Sequence, residues 1–308
     1  MNTLHLKYVA EVAKTGSITQ AAENLFMAQP NLSKAIKELE ETLGISIFRR
    51  TSKGVVLTEK GEEFLVYAKR ILTQIGRMEA LAGGENRREA RMSLCVPQGT
   101  YISYALAGFI AECSGENELE VRVKEADFAQ GAALVCEGEV AFGILRVPTQ
   151  YLQYFQGFLA DKELRFQSLW EWEACLIMNA ANALAGVAEI TKNRLLDFVE
   201  FSLEEPVLPT LPGAEGALGK KEGRTVTLQG GEFLLSLLSQ ISNGYSWSSP
   251  LPAELLSRYG LVQRSCADGA GRFCDLLVYP KDYTLTPMDR KFIDALSVTK
   301  NQVAFGNF

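Results

Sequence analysis

The chain of 308 residues carries 31 Lys+Arg against 37 Asp+Glu, a formal net charge of −6, with 47% hydrophobic residues and a single histidine, His5. That length implies two or three domains with a sizeable core, and the absence of an apolar run of about 18 residues argues against a membrane partner. With no histidine beyond His5, the larger part of the chain holds no Ser/His/Asp or Cys/His constellation and no His-containing metal site, so no catalytic residue, metal or cofactor is expected.

The N-terminus runs into Lys7, Glu11 and Lys14 without an apolar signal core, so a cytoplasmic location is expected. Leu4, Tyr8, Val9 and Val12 form a first helical stripe. Ser17 can cap a second helix, with Gln20 reaching back in a capping box, and Ala21, Ala22 and Leu25 supply its buried side. A third helix opens with Pro30 in its first turn and places Leu32, Ile36, Leu39 and Leu43 on one inward stripe. Its outer face then carries Gln29, Ser33, Lys34 and Lys37, donors suited to base edges and phosphates in a major groove. Phe48 to Leu57 follows as a basic segment with Lys53-Gly54 at a hairpin tip, completing a winged helix-turn-helix whose wing carries Arg49, Arg50 and Lys53. Residues 1–60 hold 8 Lys+Arg against 6 Asp+Glu, while residues 91–308 hold 18 against 26, so the acidic balance belongs to the larger part. A local basic face suffices for DNA, because affinity follows the phosphates neutralised.

Thr58 caps the next helix, in which Phe64, Ala68, Ile71, Ile75, Met78 and Ala82 recur as an a/d seam ending at Gly83-Gly84. This spacing, with charged sides at Glu62, Lys69, Arg70, Arg77 and Glu79, predicts a dimerising linker.

Several runs occur in fixed order: Gly16-Ser17-Ile18-Thr19-Gln20-Ala21-Ala22; Gln29 through Glu40; Leu43-Gly44-Ile45; Ile47-Phe48-Arg49-Arg50; and Leu57-Thr58-Glu59-Lys60-Gly61. On these, the segment from Leu4 to Ala68 resembles the LysR-type family of bacterial transcriptional regulators. The resemblance implies an α/β fold with an N-terminal winged helix-turn-helix, a long linker helix and a C-terminal two-subdomain effector domain similar to periplasmic solute-binding proteins. It also implies double-stranded operator or promoter DNA and a small-molecule effector as partners, in a homodimer or homotetramer. The DNA-contact set it implies is Gln29, Pro30, Ser33, Lys34 and Lys37 at the major groove, with Ser17, Thr19, Arg49, Arg50 and Lys53 near phosphates. Ala28 stands where the family often caps the recognition helix with serine or threonine, a departure worth about 1 kcal/mol. The implied domains are 1–58 for DNA, 59–84 for the linker and 91–308 for the effector, with subdomain I at about 91–166 and 270–308 and subdomain II at about 167–269.

Beyond Arg91 the pattern becomes βαβ. Strands are expected at Met92 to Val96, Leu119 to Lys124 and Val140 to Leu145, with helices at Ile102 to Glu112 and Phe128 to Cys136. Later strands are expected at Ala174 to Met178, Thr225 to Leu228, Tyr245 to Ser248 and Cys274 to Tyr279, with helices near 191–197, 231–242, 252–259 and 287–298. Mostly parallel sheets follow from that alternation. Asn182-Ala183-Leu184-Ala185 replaces the family's usual His-Pro-Leu segment, and Glu204 to Gly223 matches no element.

In open α/β sheets ligands sit beyond the carboxyl ends of strands. Three places qualify: Gln98, Gly99, Thr100 and Tyr101 after the first strand, against a plain strand-to-helix turn; Arg146 after the third, as partner for a carboxylate or phosphate, against a surface ion pair; and, ranked below these, Trp247 with Ser248 near the crossover, where a tryptophan is more often core than ligand wall.

Two other function classes remain open. The glycine-rich run from Gly213 to Lys221 lacks the spacing and the terminal Ser/Thr of a phosphate loop, which weakens an enzyme reading. Six cysteines, at 95, 113, 136, 175, 266 and 274, form no CxxC and are expected buried and reduced, though Cys266 and Cys274 would serve a redox-sensing regulator if one were a thiolate.

Overall fold

The computed structural model describes residues 2–305 except 53, 83–89, 99–100, 116–118, 204–222, 232 and 270. Two compact units divide the chain between residues 88 and 89, with Cys136–Val140 grouped in the first.

The first unit opens with α1 (Thr3–Thr15), started by an Asn2 side chain that accepts from Leu4 N–H and stopped by Gly16 at φ 64°. Its buried residues are Leu6, Val9 and Val12; Leu4, expected inside, is 48% exposed. Helix α2 (Ile18–Asn24) is capped by Ser17 Oγ, 3.3 Å from Gln20 N, but the reciprocal half of the expected capping box is absent. Gln20 Nε2 instead donates to Glu23 and Asn24, and the Thr15 hydroxyl accepts from Ser17 N–H. Helix α3 (Gln29–Leu43) has no side-chain cap at Ala28 and buries Leu32, Ile36 and Leu39. Leu32 and Ile36 pack with Val12, Ala21 and Ala22 in one cluster, and Leu39 with Val9 and Ile47 in another.

Between α2 and α3, Phe26 sits at φ 55° and is 98% exposed. An L-residue with a bulky side chain is strained there and gains no burial in exchange. Phe26→Asn is expected to raise the stability of this unit by about 0.5–1 kcal/mol, measured as a higher thermal midpoint. An unchanged or lower midpoint rules out that strain.

The wing is the antiparallel pair β1 (Phe48–Thr51) and β2 (Gly54–Leu57). Its turn falls one residue earlier than expected, since Gly54 already pairs with Thr51. Helix α4 (Glu59–Ala82) starts on Thr58, whose Oγ1 accepts from Gly61 N–H at 2.9 Å and donates to Ser46 O at 2.6 Å. Gly83-Gly84, the expected stop, lies outside the described residues.

The second unit holds two five-stranded sheets. The first, ordered β4-β3-β5-β12-β6, comprises β3 (Ala90–Val96), β4 (Leu119–Glu125), β5 (Phe142–Pro148), β6 (Leu164–Glu173) and β12 (Arg272–Pro280). The second, ordered β11-β7-β10-β8-β9, comprises β7 (Cys175–Asn179), β8 (Val199–Leu203), β9 (Arg224–Leu228), β10 (Gly244–Ser248) and β11 (Leu261–Arg264). Helices α5 (Tyr101–Glu112), α6 (Phe128–Cys136), α7 (Leu152–Asp161), α8 (Lys192–Leu195), α9 (Leu234–Gln240), α10 (Ala253–Arg258) and α11 (Pro287–Phe305) complete the unit.

The sheets are mixed, not mostly parallel. β3 pairs in parallel with β4 and β5, and β8 with β9 and β10, but β12 runs antiparallel to both β5 and β6, and β7 to both β10 and β11. The antiparallel strands include those returning between the sheets, for which a βαβ reading has no place. β6 runs across the expected border at 166. One apolar cluster holds Leu94, Phe109, Phe142 and Phe292 on the first sheet's side together with Ile177, Phe201 and Leu238 on the second's. Asn182 occupies the departure noted after β7: it is buried, donates to Gly244 O at 3.0 Å and accepts from Leu184 N at 2.9 Å, so it closes a turn. The unassigned stretch at 204–222 lies outside the described residues. Among the described residues no helix is long and apolar enough to cross a membrane.

Candidate nucleic-acid interface and effector cleft

Burial of the Leu32, Ile36 and Leu39 stripe turns the opposite face of α3 outward. Gln29, Pro30, Lys34 and Lys37 are exposed there and Ser33 is half-buried. Lys34 lies 3.7 Å from Glu38 and Lys37 lies 3.6 Å from Glu41, both pairs open to solvent. Such exposed pairs contribute little and exchange readily for a phosphate or a base edge. Arg49 and Arg50 are exposed on β1, opposite Val56 and Val55, and Thr19 is exposed on the first turn of α2. Ser17 is half-buried and already engaged as a cap. Lys53 lies outside the described residues.

Two groups that fix this face carried no assigned role from sequence. Glu40 Oε1 accepts from Ile47 N at 2.6 Å and from Phe48 N at 3.0 Å, holding the start of the wing against α3. Gly16 O accepts from Val55 N at 2.9 Å, joining the wing to the end of α1. A Cβ at Gly54, whose φ is +127°, would overlap that same Gly16 oxygen. Glu40 and Gly16 stand in the runs that carry the resemblance and Gly54 at the expected hairpin tip, but their partners lie in other segments and no local spacing reveals them.

Between the sheets of the second unit is a cavity of about 180 Å³. Val96, Pro97, Ser103 and Glu125 line it from the first sheet's side; Ile177, Ser248, Leu251 and Leu255, with Leu234, Leu235 and Leu238 of α9, line it from the second's. Of the residues expected here, Ser248 alone lines the cavity among those described. Gln98 is half-buried beside lining residue Pro97, and Gly99 and Thr100 are outside the described residues.

Tyr101, expected as a wall with a polar tip, is fully buried and meets Trp170 edge-on at 4.9 Å between centroids. Burial pushes its phenol far above the ordinary range, and the nearby Asp275 carboxylate adds to that. Trp247 packs against the Leu176, Met178 and Tyr245 core instead of the cavity. Arg146 lies inside β5, not after it, and is bound in fork geometry to Asp275, Nε to Oδ1 at 2.8 Å and Nη2 to Oδ2 at 3.0 Å. Its guanidinium lies 4.4 Å from the centre of the Trp172 ring. The expected ligand cation therefore has an internal partner, and that partner was absent from the sequence reading because it is 129 residues away.

All six cysteines are buried and unpaired by disulfides. Burial pushes the Cys95 and Cys175 thiols up to about 12 and raises those of Cys266 and Cys274 as well. A redox sensor needs the opposite shift.

A family model described as bacterial regulatory helix-turn-helix protein, lysR family, matches residues 4–62. The HTH-type transcriptional regulator BudR of Klebsiella aerogenes is 32% identical over 142 residues, which is 46% of this chain and 99% of BudR. An uncharacterised HTH-type transcriptional regulator of Bacillus subtilis, YcgK, is 32% identical over 151 residues; the match takes 47% of this chain and spans about half of that relative, 45%. Among solved structures, ArgP from Mycobacterium tuberculosis shares the fold with a TM-score of 0.63 at 17% identity, over 99% of this chain and 97% of ArgP. The exposed polar face of α3, the wing beside it, the two-sheet α/β unit and these likenesses converge on one conclusion: the chain belongs to the LysR family of bacterial helix-turn-helix transcriptional regulators.

Proposed function

We propose that the protein is a ligand-responsive, sequence-specific regulator that reads double-stranded operator DNA with α3 and its wing. The observation that carries this reading is the coincidence of an outward polar face (Gln29, Ser33, Lys34, Lys37) with the exposed Arg49 and Arg50 of the hairpin packed beside it. Gln29, Pro30, Ser33, Lys34 and Lys37 enter the major groove, while Ser17, Thr19, Arg49, Arg50 and Lys53 stand near phosphates. The protein acts as a homodimer or homotetramer. Support comes from α4, where Ala68 is buried while Tyr67, Ile71 and Met78 are 51%, 40% and 67% exposed on one stripe. A second α4 covers that stripe, and the resulting two-fold sets two recognition helices on a partly palindromic site.

The effector binds in the cavity between the two sheets, and it shifts DNA binding by favouring one arrangement of the subunits over another. The matched relatives are regulators, and no catalytic step is proposed for this chain.

Replacing Lys34 with alanine tests the interface. If Lys34 reads a base, affinity falls by about 1–3 kcal/mol on the preferred operator and the preference at one position relaxes. A uniform loss on all sequences, with the slope of log affinity against log salt reduced by about one, makes Lys34 a phosphate contact. Wild-type protein that binds promoter fragments no better than random DNA sinks the proposal.

A further inference from the structure

We propose that the cavity between the sheets takes a benzene-sized apolar molecule bearing an amine, and rejects the corresponding carboxylate. This deepens the reading of that cleft as the effector site and rests on it. The cavity volume of about 180 Å³ is close to that of engineered aliphatic cavities of about 150 Å³ that bind benzene. Seven aliphatic side chains line it, including Val96, Ile177, Leu234, Leu238 and Leu251, so most of the ligand surface meets hydrocarbon.

Charge decides the rest. Glu125 is the one ionisable residue among the described residues of the lining. An anionic group at the Glu125 end meets a carboxylate with no cation among the described lining residues to offset it, and one turned inward is stripped of water among the leucines, so both orientations oppose binding. Arg146, the cation that a carboxylate effector would ordinarily engage, holds Asp275 with two hydrogen bonds. An ammonium meets the reverse situation. Glu125 is exposed, so the charged end of the cavity is the end open to water, and the apolar body extends inward among the leucines. The hydroxyls of Ser103 and Ser248, both on the lining, accept the hydrogen bonds that an ammonium donates in excess.

The test uses full-length protein and three benzene-sized probes, benzylamine, benzyl alcohol and benzoate, with affinities from calorimetry. Wild type is expected to bind benzylamine about 1.5- to fivefold tighter than the alcohol, the range of a solvent-accessible ion pair, and benzoate at least roughly tenfold weaker than the alcohol. Glu125→Gln should erase the advantage of amine over alcohol and leave alcohol binding intact. Leu235→Trp, which fills the cavity, should weaken all three probes; Leu255→Phe serves the same purpose if the tryptophan variant does not fold. Benzoate binding as tightly as benzylamine, absence of benzylamine binding, or an amine preference that survives Glu125→Gln overturns the ligand class and leaves the cleft reading standing. Probes that bind a folded cavity-filled variant as tightly as wild type overturn the cleft as the site.

Discussion

Arg146→Ala is expected to destabilise the second unit by about 3–5 kcal/mol, the range for removing one partner of a buried ion pair. Asp275 is 0% exposed and lies directly across from Arg146 in the β5–β12 register. Without the guanidinium it would be left as an unpaired, fully buried carboxylate close to Tyr101. The same substitution strips the face of Trp172, which stacks on Phe273 at 4.9 Å between centroids with an interplanar angle of 22°. Urea unfolding of the single variant measures the loss, and the double variant Arg146→Met with Asp275→Leu provides the contrast. Apolar replacement of both partners removes the desolvation penalty along with the attraction, so the double variant should lie within about 1.5 kcal/mol of wild type. A single-variant loss below about 1 kcal/mol would show that Asp275 finds water or another donor, and would return Arg146 to the pool of ligand-binding candidates.

What was legible in the sequence follows from the range of the forces involved. The first three helices announce themselves through spacing within a dozen residues, as do the wing and Thr58, because caps, helical stripes and tight turns are local. The errors there are local too: the Ser17 N–H that the Gln20 amide oxygen would accept in a capping box is already donated to Thr15 Oγ1, and Gln20 Nε2 donates forward to Glu23 and Asn24. In the second unit the βαβ strands carry an apolar signal because both faces are covered. β6 does not: its exposure alternates poorly along Leu164–Glu173, and a register shift in its pairing with β12 breaks the period. β11 has four residues, too few for a pattern. The cavity between the sheets was the least legible part. Arg146 and Tyr101, sought as ligand groups near strand ends, are spent on partners brought in by β12 and β6, and α9, which contributes three leucines to the cavity, offers nothing in sequence to distinguish it from an ordinary core helix.

Gly61→Ala is expected to disable the DNA-binding unit, although alanine is the better helix former by about 1 kcal/mol. Gly61 lies in the first turn of α4, with its N–H on the Thr58 cap, and a Cβ there would overlap the carbonyl oxygen of Ile47. That carbonyl cannot swing aside, because it accepts from Thr58 N at 2.9 Å and its residue's own N–H is held by Glu40. Either α4 shifts away from the segment leading into β1, or the wing moves with Ile47 and Phe48. An overpacked backbone contact of this kind costs about 1–3 kcal/mol, and the wing arginines then lose their setting relative to α3. Gly76, on the same helix with nothing within 4 Å of its would-be Cβ, is the internal control. Gly76→Ala should leave stability equal or raise it by up to about 1 kcal/mol, whereas Gly61→Ala should lower the unfolding midpoint and weaken operator binding together. If Gly61→Ala behaves like Gly76→Ala in both measurements, the close approach of α4 to Ile47 is not what positions the wing, and the glycine of the Leu57-Thr58-Glu59-Lys60-Gly61 run needs another physical explanation.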